Sequence, residues 1–223
     1  VTVDPLSTTP DWMRGSWFTG SNYLSVADAG DINLDGYSDL IIGVPGQEGN
    51  NGIVIVHYGG PGGLNADRKW EYSDPYKNPR TEFARSVAAC DINGDGYSDI
   101  IIGEPNYSNG QLNEGRIHVY FGTTDGLLDS ADWKYESNVE YAKLGYSLST
   151  AGDYNGDGYD DVVAGAPGYP NNYLSAHGRV LVFLGSASGL SDGPVYSFIN
   201  WMDGYTGMGD EVACAGDING DGY

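Results

Sequence analysis

Asp91-Ile92-Asn93-Gly94-Asp95-Gly96-Tyr97-Ser98-Asp99 is the stretch that decides how this chain is read. Side-chain oxygens at its first, third and fifth positions are spaced to converge inside one tight turn. Gly96, at the sixth, permits that turn because glycine tolerates positive φ. The backbone carbonyl at position seven and the carboxylate at position nine add two more oxygens. An oxygen-only set of this kind, six or more at roughly 2.3–2.6 Å, is what Ca²⁺ takes. No Cys or His stands in the stretch to favour a softer metal. Without a cation, three carboxylates so close would repel one another.

The stretch recurs. Asp31-Ile32-Asn33-Leu34-Asp35-Gly36-Tyr37-Ser38-Asp39 and Asp153-Tyr154-Asn155-Gly156-Asp157-Gly158-Tyr159-Asp160-Asp161 are complete copies. Asp217-Ile218-Asn219-Gly220-Asp221-Gly222-Tyr223 is a fourth, truncated before position nine. Ordinary Asp/Gly-rich surface turns would not keep one internal spacing three times over. Nor is this an EF-hand, which needs a Glu at position twelve. Ile42, Ile102 and Ala164 stand there instead. The residues after position nine are apolar and strand-like (Leu40-Ile-Ile-Gly43, Ile100-Ile-Ile-Gly103, Val162-Val-Ala-Gly165). The loops are therefore expected to join strand to strand.

The first Asp of each copy falls at 31, 91, 153 and 217, a period of 60 to 64 residues. A period of this size marks a repeat architecture. Each unit opens with a short strand of small residues: Ser25–Gly30, Ser86–Cys90, Ser147–Gly152 and Glu211–Gly216. Small side chains suit a strand crowded near an axis. The acidic loop follows, then a second strand ending in Gly43-Val-Pro45, Gly103-Glu-Pro105 or Gly165-Ala-Pro167. Proline ends it because it cannot donate to the ladder. After a polar loop come the most apolar strands, Ile53–Tyr58, Arg116–Phe121 and Arg179–Leu184. A Gly-Leu turn leads to a fourth, aromatic strand, more polar as an outer edge should be: Arg68–Tyr72, Asp132–Tyr135 and Val195–Ile199. Residues 11–18 read as a stray fourth strand of a preceding unit. The expectation is an all-β fold, a β-propeller built of four-stranded antiparallel blades, with about three and a half blades present. One partial propeller would span 1–223, with blades near 19–78, 79–138 and 139–203, and with 11–18 and 204–223 as parts of incomplete blades.

This combined pattern resembles the FG-GAP repeat of integrin α-subunit-type propellers. The Gly-X-Pro tripeptides stand for "GAP"; Phe83-Ala84, Leu144-Gly145 and Met208-Gly209 stand where "FG" lies, in degenerate form. The resemblance covers about residues 11–223. It implies calcium ligands Asp31, Asn33, Asp35, Tyr37 (carbonyl) and Asp39; Asp91, Asn93, Asp95, Tyr97 and Asp99; and Asp153, Asn155, Asp157, Tyr159 and Asp161. Asp217, Asn219 and Asp221 would begin a fourth site. Such propellers usually have seven blades, so the chain is expected either to be a segment of a longer protein or to associate with copies of itself to complete a ring.

Charge narrows the function. Lys and Arg number 10 against 31 Asp and Glu, for a net charge of −21. That excludes the basic footprint of a nucleic-acid binder. Positions one, five and nine of the loops account for eleven of those carboxylates, three in each complete copy and two in the truncated one. Three bound Ca²⁺ would bring −21 to −15. No apolar run approaches the roughly 18 residues of a membrane span. There is no initiator Met and no signal-peptide pattern, so a processed or excised segment is expected. Cys90 and Cys214 occupy neighbouring positions of repeats two and four and are expected to be small, buried, unpaired inner-strand residues.

Catalysis is not expected. The three His are scattered, no nucleophile elbow or HExxH motif occurs, and the carboxylates that might suggest glycosidase chemistry already belong to the acidic loops. By the resemblance, a second face carries Tyr76, Tyr107, Tyr141, Tyr169, Tyr173, Trp201 and Tyr205. These are candidates to anchor a protein or glycan ligand, or else rings that stiffen their own loops. Asn106-Tyr-Ser108 is a glycosylation sequon. The leading expectation is a calcium-stabilised module for adhesion or protein–protein interaction, placed outside the cell or on its surface. The alternative is a non-catalytic carbohydrate- or substrate-binding module of a secreted enzyme, and a third reading is a propeller enzyme.

Overall fold

A computed structural model describes residues 24–46, 52–65, 69–73, 79–169, 177–199 and 207–216. The stray strand expected at 11–18, the fourth acidic loop, and Tyr76, Tyr173, Trp201 and Tyr205 lie outside the described residues.

Three four-stranded antiparallel sheets are formed. The first holds β1 (Ser25–Asp28), β2 (Leu40–Val44), β3 (Ile53–His57) and β4 (Lys69–Ser73). The second holds β5 (Val87–Cys90), β6 (Asp99–Glu104), β7 (Arg116–Tyr120) and β8 (Trp133–Glu136). The third holds β9 (Ser147–Gly152), β10 (Asp161–Ala166), β11 (Arg179–Phe183) and β12 (Tyr196–Ile199). Spatial order follows chain order in every sheet, so each is a simple meander. The innermost strands β1, β5 and β9 stand against one another in turn. These sheets are propeller blades, and each acidic loop joins the first strand of a blade to its second.

The core lies between blades. Side chains alternate across a strand, and the middle strands are apolar on both faces because both faces are covered. In β6, Ile100 and Ile102 turn toward the first blade and pack with Ile41, Val54 and Val56. Ile101 turns the other way, toward Leu144, Val162, Ala164 and Phe183. Each such buried side chain contributes about 1.5–3 kcal/mol.

The aromatic residues of the fourth strands do more than line an edge. Trp70 and Tyr72 stack with centroids 5.5 Å apart. Their faces then meet Tyr120 of the next blade edge-on, at 5.6 and 5.4 Å. Trp133 and Tyr135 do the same to Phe183, at 5.7 and 5.0 Å. Each pair is worth about 0.5–1.5 kcal/mol beyond its buried area. Register places Tyr196 and Phe198 at the equivalent positions of the third blade, where both are exposed.

The Gly-X-Pro glycines have a steric cause. A Cβ on Gly43, Gly103 or Gly165 would sit 2.5, 2.1 or 2.0 Å from the carbonyl oxygen of Ala84, Gly145 or Gly209 in the next unit. Those same carbonyls accept the hydroxyls of Ser25, Ser86 and Ser147 at 3.2, 2.8 and 2.9 Å. The docking residues have φ of 68°, 81° and 87°, the left-handed region that favours glycine. Gly-X-Pro and the degenerate "FG" are thus two sides of one inter-blade joint.

One expectation is corrected. Cys90 is buried in β5, but Cys214 is exposed, and both thiols are free. Among the described residues no strand pairs with 211–216. The Cys214 amide donates to Ser149 Oγ of β9 at 3.1 Å.

Candidate metal centres

The three complete loops fold alike. The first-position carboxylates gather the turn: Asp31, Asp91 and Asp153 accept the fifth-position amide on Oδ1 (3.0, 3.1 and 2.9 Å). On Oδ2 they accept the amide of the position-six glycine (2.8, 2.9 and 2.8 Å). Oδ1 of Asn33, Asn93 and Asn155 accepts that same fifth amide at 3.1, 3.0 and 2.9 Å. Oδ1 of Asp35, Asp95 and Asp157 accepts the amides of Tyr37, Tyr97 and Tyr159 at 3.2, 3.0 and 3.2 Å. Gly36, Gly96 and Gly158 have φ of 88°, 90° and 93°, as the turn demands. Position four is also left-handed: Gly94 and Gly156 have φ of 71° and 74°, and Leu34 has 53°. Sequence reasoning missed that requirement, although glycine in two of three copies signalled it.

The ninth-position carboxylates play a second role. Asp39, Asp99 and Asp161 are buried. Oδ2 of each accepts an amide of its own loop, from Ile32, Ile92 or Tyr154 (3.0, 2.9 and 3.0 Å). Oδ1 accepts an amide beyond the end of the third strand, from Gly59, Gly122 or Gly185 (2.7, 2.9 and 2.8 Å). These aspartates tie the loop to the blade. Burial pushes Asp99 up to about 7, opposed by the amides of Gly122 and Ile92 and assisted by the charges of Asp95 and Asp91. Asp39 and Asp161 are raised by burial in the same way.

Among the described residues, no three Asp, Glu, His or Cys side chains are gathered closely enough to hold a metal ion by themselves. The loop donor set also uses an Asn oxygen and a main-chain carbonyl. A carboxylate offers about four lone-pair sites, and the amides above occupy only part of them. The buried ninth-position carboxylates feel the like charges at positions one and five, and such a cluster, with spare lone pairs and oxygen neighbours, fits a hard divalent cation.

On the opposite side, three of the seven aromatic candidates are described. The Arg116 guanidinium lies 3.5 Å from the Tyr107 ring centroid. Arg179 lies 4.1 Å from that of Tyr169. Both rings are half-buried and hold their loops against the third strand. Tyr141 is also half-buried, and its amide donates to Leu112 O at 2.7 Å.

Sequence reasoning also missed a buried charged cluster in the second blade. Glu104 Oε2 accepts from Arg116 Nη2 (2.8 Å) and Nε (3.1 Å) and lies 2.9 Å from His118 Nε2. Burial alone would raise Glu104, but His118 and Arg116 hold it below the usual carboxylate range. Burial holds His118 below its usual range, against the pull of Glu104. The matching residues are Val44, Ile53 and Ile55 in the first blade and Ala166, Arg179 and Leu181 in the third. The signal was visible as charges inside a strand pattern.

Comparison with known proteins agrees with this architecture. The FG-GAP repeat family matches residues 24–57, 83–120 and 144–183, half of the chain. Bovine phosphatidylinositol-glycan-specific phospholipase D (Bos taurus) is 31% identical over 183 residues, covering 77% of this chain and 22% of that protein. Mouse integrin alpha-IIb (Mus musculus) is 26% identical over 223 residues, covering 93% of this chain and 21% of that protein. Chicken integrin alpha-V (Gallus gallus) is 30% identical over 179 residues, covering 78% of this chain and 16% of that protein. The chain spans about a fifth of the length of the curated relatives it matches. With three matched repeats folded as three successive blades, the chain belongs to the FG-GAP repeat family.

Proposed function

We propose that the three complete loops bind calcium and that the bound ions stabilise a non-catalytic, extracellular or cell-surface interaction module. The observation that carries this reading is one loop folded three times around clustered carboxylates, with a buried aspartate at position nine in each. Asp31, Asn33, Asp35, the Tyr37 carbonyl and Asp39 would hold the first ion. Asp91, Asn93, Asp95, Tyr97 and Asp99 would hold the second, and Asp153, Asn155, Asp157, Tyr159 and Asp161 the third. Asp217, Asn219 and Asp221 supply the start of a fourth site. The ion neutralises the carboxylates and fixes a loop that the chain's own amides help to shape.

Extracellular modules bind Ca²⁺ at roughly 10⁻⁴–10⁻³ M. At about 1 mM ion each site then adds about 0.4–1.4 kcal/mol. Three sites together matter against a typical total of about 5–15 kcal/mol. Affinity of this order suits a calcium-rich exterior. Replacing Asp95 and Asp157 by Ala together should lower melting temperature in calcium and leave it nearly unchanged in EDTA. Equal melting in calcium for the variant and the native chain would refute the structural role.

A second reading, supported by the match to a phospholipase named for a phosphatidylinositol-glycan, is a carbohydrate- or substrate-binding module of a secreted enzyme. Glycan-array binding lost on Tyr173→Ala would favour it. The exposed Tyr196 and Phe198 face suits one more blade, in this protein or in a second copy. Light scattering in calcium and in EDTA distinguishes self-association from a monomer.

A further inference from the structure

The loops are joined to one another as well as to their own blades. At both described junctions the eighth-position amide of one loop donates to the first-position carbonyl of the loop before it. Ser98 donates to Asp31 O at 3.2 Å, and Asp160 donates to Asp91 O at 3.1 Å. The second junction has an added bond. The Asp91 amide donates back to Asp160 Oδ2 at 3.0 Å, so Asp91 and Asp160 clasp each other through two hydrogen bonds. Serine holds the eighth position in the other two complete loops. At the first junction the Ser98 hydroxyl instead lies over Gly30, where a Cβ would be 2.1 Å from it.

A ring contact strengthens the second junction. A Cβ on Gly94 would meet the Tyr159 ring at 2.8 Å, so position seven of the third loop rests on position four of the second. Asp91 is the residue whose carboxylate gathers the amides of Gly94, Asp95 and Gly96. Asp160 stands between Tyr159 and Asp161, two donors of the third loop. Ordering either loop therefore fixes a residue that belongs to the geometry of the other.

We propose that Asp160 is a positioning residue that couples cation binding in the second and third loops, so that filling one raises the affinity of the other. The proposal rests on the calcium reading above. Ordering shared between two sites produces positive cooperativity, because the second ion meets a loop already fixed. The Asp160 charge also lies near Asp91 and Asp153. Asp160→Ser will therefore weaken each loop by itself, and the readout must be the ratio between sites.

The test is a calcium titration of the full chain by amide NMR, with Gly96 and Gly158 reporting loops two and three separately. Disabling loop two with Asp95→Ala should raise the Gly158 midpoint about five-fold or more, the lower end of ordinary coupling between sites. In the Asp160→Ser chain the same substitution should shift it by less than about two-fold. The reciprocal experiment, Asp157→Ala read at Gly96, must give the same coupling factor once both sets of midpoints are fitted to a two-site scheme. A Gly158 midpoint indifferent to Asp95→Ala overturns the coupling and leaves the calcium reading standing. A five-fold shift that survives Asp160→Ser overturns the assignment to Asp160. No calcium response at either glycine of the native chain overturns the calcium reading and the proposal together.

Discussion

Asp99→Ala should unfold this protein far more readily than Asp95→Ala even when no calcium is present. Asp99 is fully buried, and its two oxygens accept the amides of Ile92 and Gly122 at 2.9 Å each. Hydrogen bonds to a charged group contribute about 1.5–3 kcal/mol each, and their loss leaves two buried amides unsatisfied. Burial of the carboxylate, which pushes its pKa up to about 7, offsets part of that gain. The loss in EDTA should then lie at the lower end, about 3 kcal/mol. Asp95 is different: the bonds it accepts from Tyr97 and Asn93 are exposed to water. Its removal in EDTA should cost less than about 1 kcal/mol. In about 1 mM calcium each variant should lose a further 0.4–1.4 kcal/mol, roughly, with its site. Urea unfolding in EDTA and then in calcium measures both parts. Equal, small losses for the two variants in EDTA would refute the reasoning, because Asp99 would then serve only the metal.

Gly103→Ala should cost more than about 3 kcal/mol, since its Cβ would fall 2.1 Å from the Gly145 carbonyl oxygen; thermal melting reads this. Leu34→Gly relieves a left-handed residue (φ 53°) and should stabilise by about 0.5–1 kcal/mol, the strain removed less the entropy glycine loses. Glu104→Ala takes from the buried Arg116 guanidinium its nearer carboxylate, leaving Glu136 at 3.7 Å, and should cost about 3 kcal/mol, the lower end for breaking a buried pair. His118 has a folded pKa below its unfolded value. Its contribution is full above the unfolded pKa and is lost as pH falls through and below it. His118→Leu, which restores the third blade's residue, should therefore flatten the stability profile on the acid side of about 6.5; an unchanged profile would assign the acid sensitivity to other groups.

Much of this architecture was legible because its signals are local and repeated. Glycine at position six, the apolar run after position nine and the 60-residue spacing each report a backbone requirement without tertiary context. The double role of Asp39, Asp99 and Asp161 was not legible, since its second partner lies some twenty residues on, past the third strand. The left-handed turn at position four was obscured by Leu34, which tolerates strain that Gly94 and Gly156 avoid. Tyr107 and Tyr169 look like ligand anchors in sequence and are occupied by Arg116 and Arg179 in the fold. The repeated pairing of Pro-X-Tyr with a following Gly-Arg is the pattern that could have exposed them. Cys214 was assigned to a strand by analogy with Cys90, but inner-strand burial depends on a neighbour across the ladder.

Equilibrium dialysis of the chain against calcium, with ions per chain counted at saturation, tests the central claim most directly. At least three ions per chain are predicted, with one lost on each of Asp35→Ala, Asp95→Ala and Asp157→Ala. A count below three, or one that these substitutions leave unchanged, would contradict the assignment of the loops as calcium sites.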